Sequence, residues 1–180
     1  MIHIGIAVAI DRQRRERPAR RIHAYPHALQ HEVGAPVAGF CYPGGVHTSA
    51  IRRAVKDAGF RYARTITNFS LARPTDRFLV PTTIQLYPHA RYTYLKNFVS
   101  GRAWRERTPQ FGIALRTRDL EATLRALLEH TVATGGVFHL WGHSWELDEH
   151  GLWGVFETFL RVAAELFPAA QRRTNSELYA

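Results

Sequence analysis

Short apolar runs bounded by glycine and proline constrain the fold of this chain most strongly. The run VAGFCYP, residues 37–43, lies between GAP and PGG and is typical of a buried strand. A helical pattern follows, with Thr48 or Ser49 as its cap and Gly59 as its end. RYARTI then predicts a second strand. A strand, a helix and a strand in this order predict the βαβ unit of a parallel sheet.

The rest of the chain repeats this alternation. FLVPTTIQLY, residues 78–87, is β-branched and apolar, which predicts a strand. Leucines at helical spacing predict a helix over 118–136, and a strand over 137–143 follows it. Residues 151–167 predict the last helix, which Pro168 closes. The alternation predicts an α/β fold with mostly parallel strands.

Composition and charge exclude several classes of protein. A chain of 180 residues that is 46% hydrophobic is long and apolar enough to fold as a domain, and no apolar run has the length of a membrane span. The opening MIHIGIAVAI lacks a basic leader and a cleavage site, so we read no signal peptide and expect the cytoplasm. The single cysteine, Cys41, excludes an internal disulfide framework and a thiolate zinc cluster.

The net charge of +9 invites a nucleic-acid interpretation. Of the 24 basic residues, only Lys56 and Lys96 are lysine, and the arginines are spread along the chain without a nucleic-acid-binding motif. The one dense cluster of arginines lies within residues 12–21. Two interpretations of it are open: a solvated basic segment, or a site for an anionic partner. We therefore expect no nucleic-acid partner.

The stretch GGVFHLWGHSWELDEHG, residues 135–151, holds the densest set of candidate functional side chains. Strand alternation puts His139, Trp141 and His143 on one face, with His143 at the strand's end, so we expect His139 to be more buried than His143. Two imidazoles on one face favour a functional site, whereas the alternative is a polar turn before the last helix. The segment from Tyr42 to Gly45 and His89 also follow predicted strands. Because carboxyl ends of parallel strands meet at one edge, we expect a shared pocket there.

The segments VAGFCYPGG, AIRRAVKDAGFRYART and GGVFHLWGHS together resemble the carboxyl-terminal part of the polysaccharide deacetylase family. The resemblance covers residues 28–180 and leaves 1–27 as a divergent basic segment. It implies a distorted (β/α) barrel that removes acetyl groups from amino sugars with a divalent metal, usually zinc. It also implies that His143 protonates the leaving amine with His139 behind it. Tyr42, Pro43, Gly44 and Trp141 would bind the substrate.

The chain also departs from that family. Nothing matches the family's Asp pair, TFDD, which supplies a base and a metal ligand. His23 and His27 have the family's His-x-x-x-His spacing and are the candidate metal ligands, although they lie close to the next motif and exposed helix histidines are the alternative. Asp11 ends an apolar run, and Cys41 replaces the family's arginine.

These observations predict an incomplete deacetylase barrel that lacks one or two amino-terminal βα units. The expected function is a truncated or weakly active deacetylase acting on an acetylated amino-sugar polymer. The alternatives are a catalytically inactive relative that binds carbohydrate or protein, and a basic nucleic-acid binder. An incomplete barrel leaves an unpaired sheet edge, so we also expect self-association.

Overall fold

The computed structural model describes residues 2–6, 31, 34, 37–101 and 103–179. They belong to two compact units. The larger unit contains Ile2–Ile6, Thr67–Arg73 and Pro81–Thr174, and the smaller one contains residues 37–66, Pro74–Val80 and Asn175–Tyr179.

The elements are numbered here in chain order. The strands are β1 (Ile2–Ile6), β2 (Gly39–Cys41), β3 (Tyr62–Arg64), β4 (Ile84–Gln85), β5 (Phe138–Gly142) and β6 (Arg172–Arg173). The α-helices are α1 (Ser49–Asp57), α2 (Arg91–Val99), α3 (Trp104–Arg116), α4 (Leu120–Thr134), α5 (Ser144–Glu149), α6 (Trp153–Leu166) and α7 (Asn175–Tyr179). Pro43–Gly45 and Ala169–Gln171 form short 3-10 turns.

The larger unit contains a parallel sheet with the strand order β4-β5-β1-β6. Ile2 pairs with Phe138 and Ile6 with Gly142, so β1 follows β5 along its full length. Sequence analysis grouped residues 2–6 with the basic segment 1–27, whereas here they form an inner strand. The division at residue 27 stays a prediction, because residues 7–30 lie outside the described residues.

The core of the larger unit lies between one face of this sheet and the helices α4 and α6. Leu124, Leu127 and Leu128 of α4 pack with Phe138 of β5 and Phe159 of α6. Asp119 caps α4, since its carboxylate accepts a hydrogen bond from the Ala122 amide at 2.8 Å. The predicted helix over 118–136 and the predicted strand over 137–143 are therefore confirmed.

The smaller unit is the predicted βαβ unit. Its strands β2 and β3 pair in parallel, and α1 connects them. Thr48 is the cap, because its hydroxyl accepts a hydrogen bond from the Ile51 amide at 3.2 Å, and Gly59 follows the helix with a φ of 88°. Val55 of α1 is buried with Phe60 beneath it. The prediction for this segment is confirmed.

The predicted strand over 78–87 is wrong as a single element. Val80 bridges to Arg64 in the smaller unit, while Ile84–Gln85 pairs with β5 in the larger one. Pro81 separates the two pieces, and its nitrogen has no hydrogen to donate to a strand partner. Hydrophobic pattern alone does not distinguish one strand from two short ones that pair with different neighbours.

The helices α2 and α3 have no predicted counterpart, and tertiary contacts explain why they form. The Arg107 guanidinium of α3 is buried and donates to the carbonyls of Asn68 at 2.7 Å, Phe98 at 2.9 Å and Asn97 at 2.9 Å. Phe98 of α2 stacks on Phe111 of α3 with ring centres 4.2 Å apart. These contacts join residues nine or more positions apart, beyond the reach of helical or strand periodicity, so no local sequence pattern reports them.

The described residues thus form an α/β fold with short parallel strands, and they close no barrel. In the part of the chain that the structure describes, no helix combines the length and the apolar character needed to cross a membrane. The barrel type remains a prediction.

Candidate functional site

The carboxyl ends of β4 and β5 lie side by side in the larger unit, where Gln85 pairs with Trp141. Polar and aromatic side chains collect at and just beyond these ends. We call this group the strand-end site, and its members are Asn68, Gln85, His89, Trp141, His143, Trp145 and Glu146.

His139 lies one step before this site on β5. His139 is only 2% exposed, whereas His143 is half-buried. This is the predicted order of burial. Thr83 fixes the backbone here: the His139 amide donates to the Thr83 hydroxyl at 2.9 Å, and the Thr83 amide donates to the His139 carbonyl at 2.9 Å. His139 is therefore held beneath the site and away from solvent.

His143 lies directly between β5 and α5. Its carbonyl accepts hydrogen bonds from the amides of Glu146 at 3.1 Å and Leu147 at 3.2 Å, which start α5. The imidazole stacks on Trp145, with ring centres 4.1 Å apart and planes 14° from parallel, and Trp141 meets it edge-on at 5.5 Å. Its Nδ1 is shielded from solvent, and no described residue bonds to it. Two indoles thus fix the ring's plane.

The Trp141 indole is oriented by a buried amide. Its N–H lies 3.5 Å from the Asn68 side-chain oxygen, which also accepts a hydrogen bond from the Thr82 hydroxyl at 2.8 Å. The Asn68 carbonyl in turn accepts the Arg107 bond described above. Asn68 was not a sequence candidate, although it lies two residues after the predicted strand RYARTI, because its contacts with Trp141 and Thr82 join segments far apart in sequence.

Gln85 connects a carboxylate to an imidazole. Its amide nitrogen donates to both Glu146 carboxylate oxygens, at 2.9 and 3.2 Å, and its amide oxygen lies 2.9 Å from His89 Nε2. Because that oxygen is only an acceptor, His89 Nε2 must be the protonated nitrogen. The three side chains therefore form a directed chain from His89 through Gln85 to Glu146.

Burial governs the protonation of His89. It lowers the pKa of His89 below its usual value, and the nearby Glu146 carboxylate raises it in part. Tyr87 and Tyr94 surround the ring, with ring centres at 4.7 and 5.8 Å. Sequence analysis named His89 but missed Gln85 and Glu146. The position of Glu146, three residues after His143 at the start of a helix, was the available signal.

The predicted substrate residues Tyr42, Pro43 and Gly44 lie in the smaller unit. Tyr42 is buried, and its hydroxyl donates to the Phe78 carbonyl at 3.0 Å. Burial raises the pKa of Tyr42 to about 12. Pro43 and Gly44 are exposed in a 3-10 turn, where Gly44 has a φ of 60°. Since His143 belongs to the larger unit, the expected shared pocket stays a prediction.

The candidate metal ligands His23 and His27, together with Asp11, lie outside the described residues. Within the described ranges, no three His, Cys, Asp or Glu side chains are grouped so that they could hold an ion. The half-buried Cys41 has the Arg64 guanidinium at 3.9 Å from its sulfur.

Comparisons with known proteins do not indicate a function, so we consider the chemistry of the site itself. No protein-family model matches this chain, and neither a curated protein nor a solved structure matches it. The strand-end site offers flat aromatic faces, a fixed imidazole and a hydrogen-bonded carboxylate next to one another. Such a combination suits a ligand that has both C–H faces and hydroxyl or amide groups.

Proposed function

We propose that this chain is a polysaccharide deacetylase-like hydrolase domain, built on an incomplete (β/α) barrel, that recognises acetylated amino sugars and cleaves them weakly. The observation that carries the proposal is the stack of Trp141, His143 and Trp145 at the carboxyl end of β5. In parallel α/β folds this end of a strand is where reacting groups gather. The motif segments that resemble the deacetylase family supply the reaction class.

The chemistry of a sugar ring fits this group of side chains. A pyranose ring has C–H faces that pack on indoles, and its hydroxyl groups donate to carboxylate oxygens. Trp145 provides an exposed face, and Glu146 provides a carboxylate held by Gln85. An acetamido methyl group would fit against Trp141. These features favour a carbohydrate over a purely apolar or purely ionic ligand.

Each residue has a proposed role in amide cleavage. His143 donates a proton to the leaving amine, and the stack on Trp145 keeps its ring in one plane. His139 supports it from beneath, while Tyr42, Pro43 and Gly44 add substrate contacts. A divalent metal, zinc by the resemblance, would polarise the acetyl carbonyl when bound, with His23 and His27 as its candidate ligands.

A second candidate function is a catalytically inactive relative that binds the same sugar chain. The absence of a TFDD-like Asp pair from the sequence favours it, because those carboxylates supply the base and a metal ligand. We further propose self-association through the sheet edge at β4 or β6, no nucleic-acid partner, and a cytoplasmic location.

The test measures binding and hydrolysis separately on the full chain. Calorimetry with chitooligosaccharides reports binding, and acetate release with added zinc or cobalt reports hydrolysis. We expect binding with little acetate release. His143→Ala should remove that release while the sugar still binds, but less tightly, because Trp145 loses its stacking partner. The matched control is His130→Ala, which replaces a half-buried histidine of α4. It should change neither sugar binding nor acetate release.

The outcomes separate the candidates. Binding without any acetate release supports the inactive relative. Rapid turnover that a chelator abolishes would contradict weak activity and make Asp11, His23 and His27 the expected ligands. If no chitooligosaccharide binds, the proposed function is wrong.

A further inference from the structure

One face of α2 carries apolar and aromatic side chains that are open to solvent. Tyr92 is 73% exposed, Leu95 is 47% exposed and Val99 is 55% exposed. On a helix that turns about 100° per residue, their directions fall within about 60° of one another, so they form one stripe. A different face of α2 packs on α3 through the stack of Phe98 on Phe111. The helix is therefore held in place while its apolar stripe stays exposed.

Cations lie along both edges of this stripe. Arg91 and Lys96 are exposed, and each projects about 40° beyond one edge of the stripe. Arg105, near the start of α3, is a further exposed cation close in sequence. None of the chain's 15 acidic residues lies between Asp76 and Glu106 in the sequence. The α2 stripe is thus apolar along its centre and positive at its edges.

Two other exposed aliphatic side chains on long helices have different neighbours. Val132 of α4 is 52% exposed and Leu160 of α6 is 39% exposed. An exposed glutamate lies three residues before each of them, Glu129 in α4 and Glu157 in α6, and residues at this spacing share a helix face. Single apolar side chains among charges are ordinary surface features. The α2 stripe differs because its apolar side chains are contiguous and its charged neighbours on the helix are positive.

We infer that the α2 stripe docks on the anionic surface of a lipid bilayer. Helices with this pattern lie in the plane of the membrane, at the boundary between headgroups and acyl chains. Leu95 and Val99 would enter the acyl region, and the Tyr92 ring would lie at headgroup level, where tyrosine is enriched. Arg91 and Lys96 would meet the anionic headgroups. This inference is independent of the proposed function.

Charge and chemistry favour a bilayer over other occupants of this face. A second copy of the chain would bring the same cations against each other in a symmetric contact, and like charges oppose such a contact. Residues 7–30 have six arginines against one aspartate and one glutamate, so that segment also has the wrong sign. A nucleic acid has the right sign but offers no aliphatic phase to Leu95 and Val99. An anionic bilayer supplies both the charge and the apolar phase.

The test is co-sedimentation of the full chain with lipid vesicles. Vesicles of phosphatidylcholine alone are compared with vesicles that also contain phosphatidylserine. We expect binding to the anionic vesicles, weakened by added salt. Leu95→Gln removes an apolar contact and should weaken this binding about three- to tenfold. Lys96→Gln removes one headgroup contact and should weaken it about fivefold.

Two matched controls separate the stripe from the net charge of +9. Leu160→Gln makes the same apolar-to-polar change at an exposed position of α6. Lys56→Gln removes the only other lysine, which is exposed on α1, and so lowers the net charge by the same amount as Lys96→Gln. Both control variants should bind anionic vesicles nearly as well as the wild type. Because all four positions are exposed or at the surface, each variant should fold, which circular dichroism checks.

Three results would overturn the inference. The first is that anionic vesicles do not bind the chain. The second is that the controls weaken binding as much as Leu95→Gln and Lys96→Gln do, since net charge alone would then explain the attraction. The third is that light scattering shows an oligomer that Leu95→Gln dissociates, which would make this face an interface between copies of the chain.

Discussion

The two faces of β5 hold their side chains by different means. On one face, Phe138 and Leu140 are buried in a cluster of apolar side chains from α4 and α6. On the other face, Trp141 and the adjoining His143 are fixed by a few directional contacts, such as the bond to Asn68 and the stack on Trp145. Residues that are neighbours in sequence therefore contribute to different properties of the protein.

The difference shows what each kind of contact stabilises. Apolar burial is non-directional and sums over many neighbours, so the core face dominates the free energy of folding. Hydrogen bonds and ring stacks contribute little net stability but fix orientation. The core face therefore holds the strand in place, and the site face sets the geometry of the functional groups.

The largest expected effect is on the core face. Phe138→Ala removes a fully buried ring and leaves a cavity, so we expect the free energy of unfolding to fall by about 3–5 kcal/mol. Urea unfolding followed by circular dichroism measures it. His143→Ala is the comparison on the site face and should cost about 1 kcal/mol or less. Equal losses for the two variants would contradict the division between the faces.

An intermediate effect is expected where the two kinds of contact meet. The buried Thr83 hydroxyl donates to the Ser70 carbonyl at 2.9 Å and accepts from the His139 amide. Thr83→Val keeps the shape of the side chain but leaves both hydrogen-bond partners unsatisfied. The free energy of unfolding should therefore fall by about 1–3 kcal/mol. Thr134→Val, at an exposed helical hydroxyl, should change stability by about 0.5 kcal/mol or less. If Thr83→Val left the free energy of unfolding unchanged, the hydroxyl would not be needed for stability.

The smallest effect concerns pH and the strand-end site alone. Burial lowers the pKa of His89 from its usual 6.5, so below that pH the unfolded chain binds more protons and stability falls as the solution is acidified. Glu146→Gln removes the charge that raises the pKa of His89. The pKa should then fall further, and acid should destabilise the variant more strongly.

Proton NMR titration of the His89 imidazole, with urea unfolding at neutral and mildly acidic pH, checks both statements. Glu149→Gln changes an exposed carboxylate of the same helix and should leave the pKa of His89 unchanged. A rise in the pKa of His89 in Glu146→Gln would contradict the electrostatic account.

Sequence reasoning succeeded where local signals agree with the fold. It found α1 with Thr48 as one of two possible caps, α4, β5 and the different burial of His139 and His143. It did not find the inner strand Ile2–Ile6, because the arginine-rich stretch that follows it suggested a separate basic segment. It also joined residues 78–87 into one strand, since both pieces are apolar.

The sequence by itself determined the α/β alternation, the helix caps and the faces of β5, because periodicity and capping depend on residues close together in the chain. Only the tertiary structure decided that Asn68 orients Trp141, that Gln85 joins His89 to Glu146, and that Asp148 holds Trp153. Most of these bonds join segments far apart in sequence, and each depends on a side-chain direction. No spacing along the chain specifies such directions before the segments pack together.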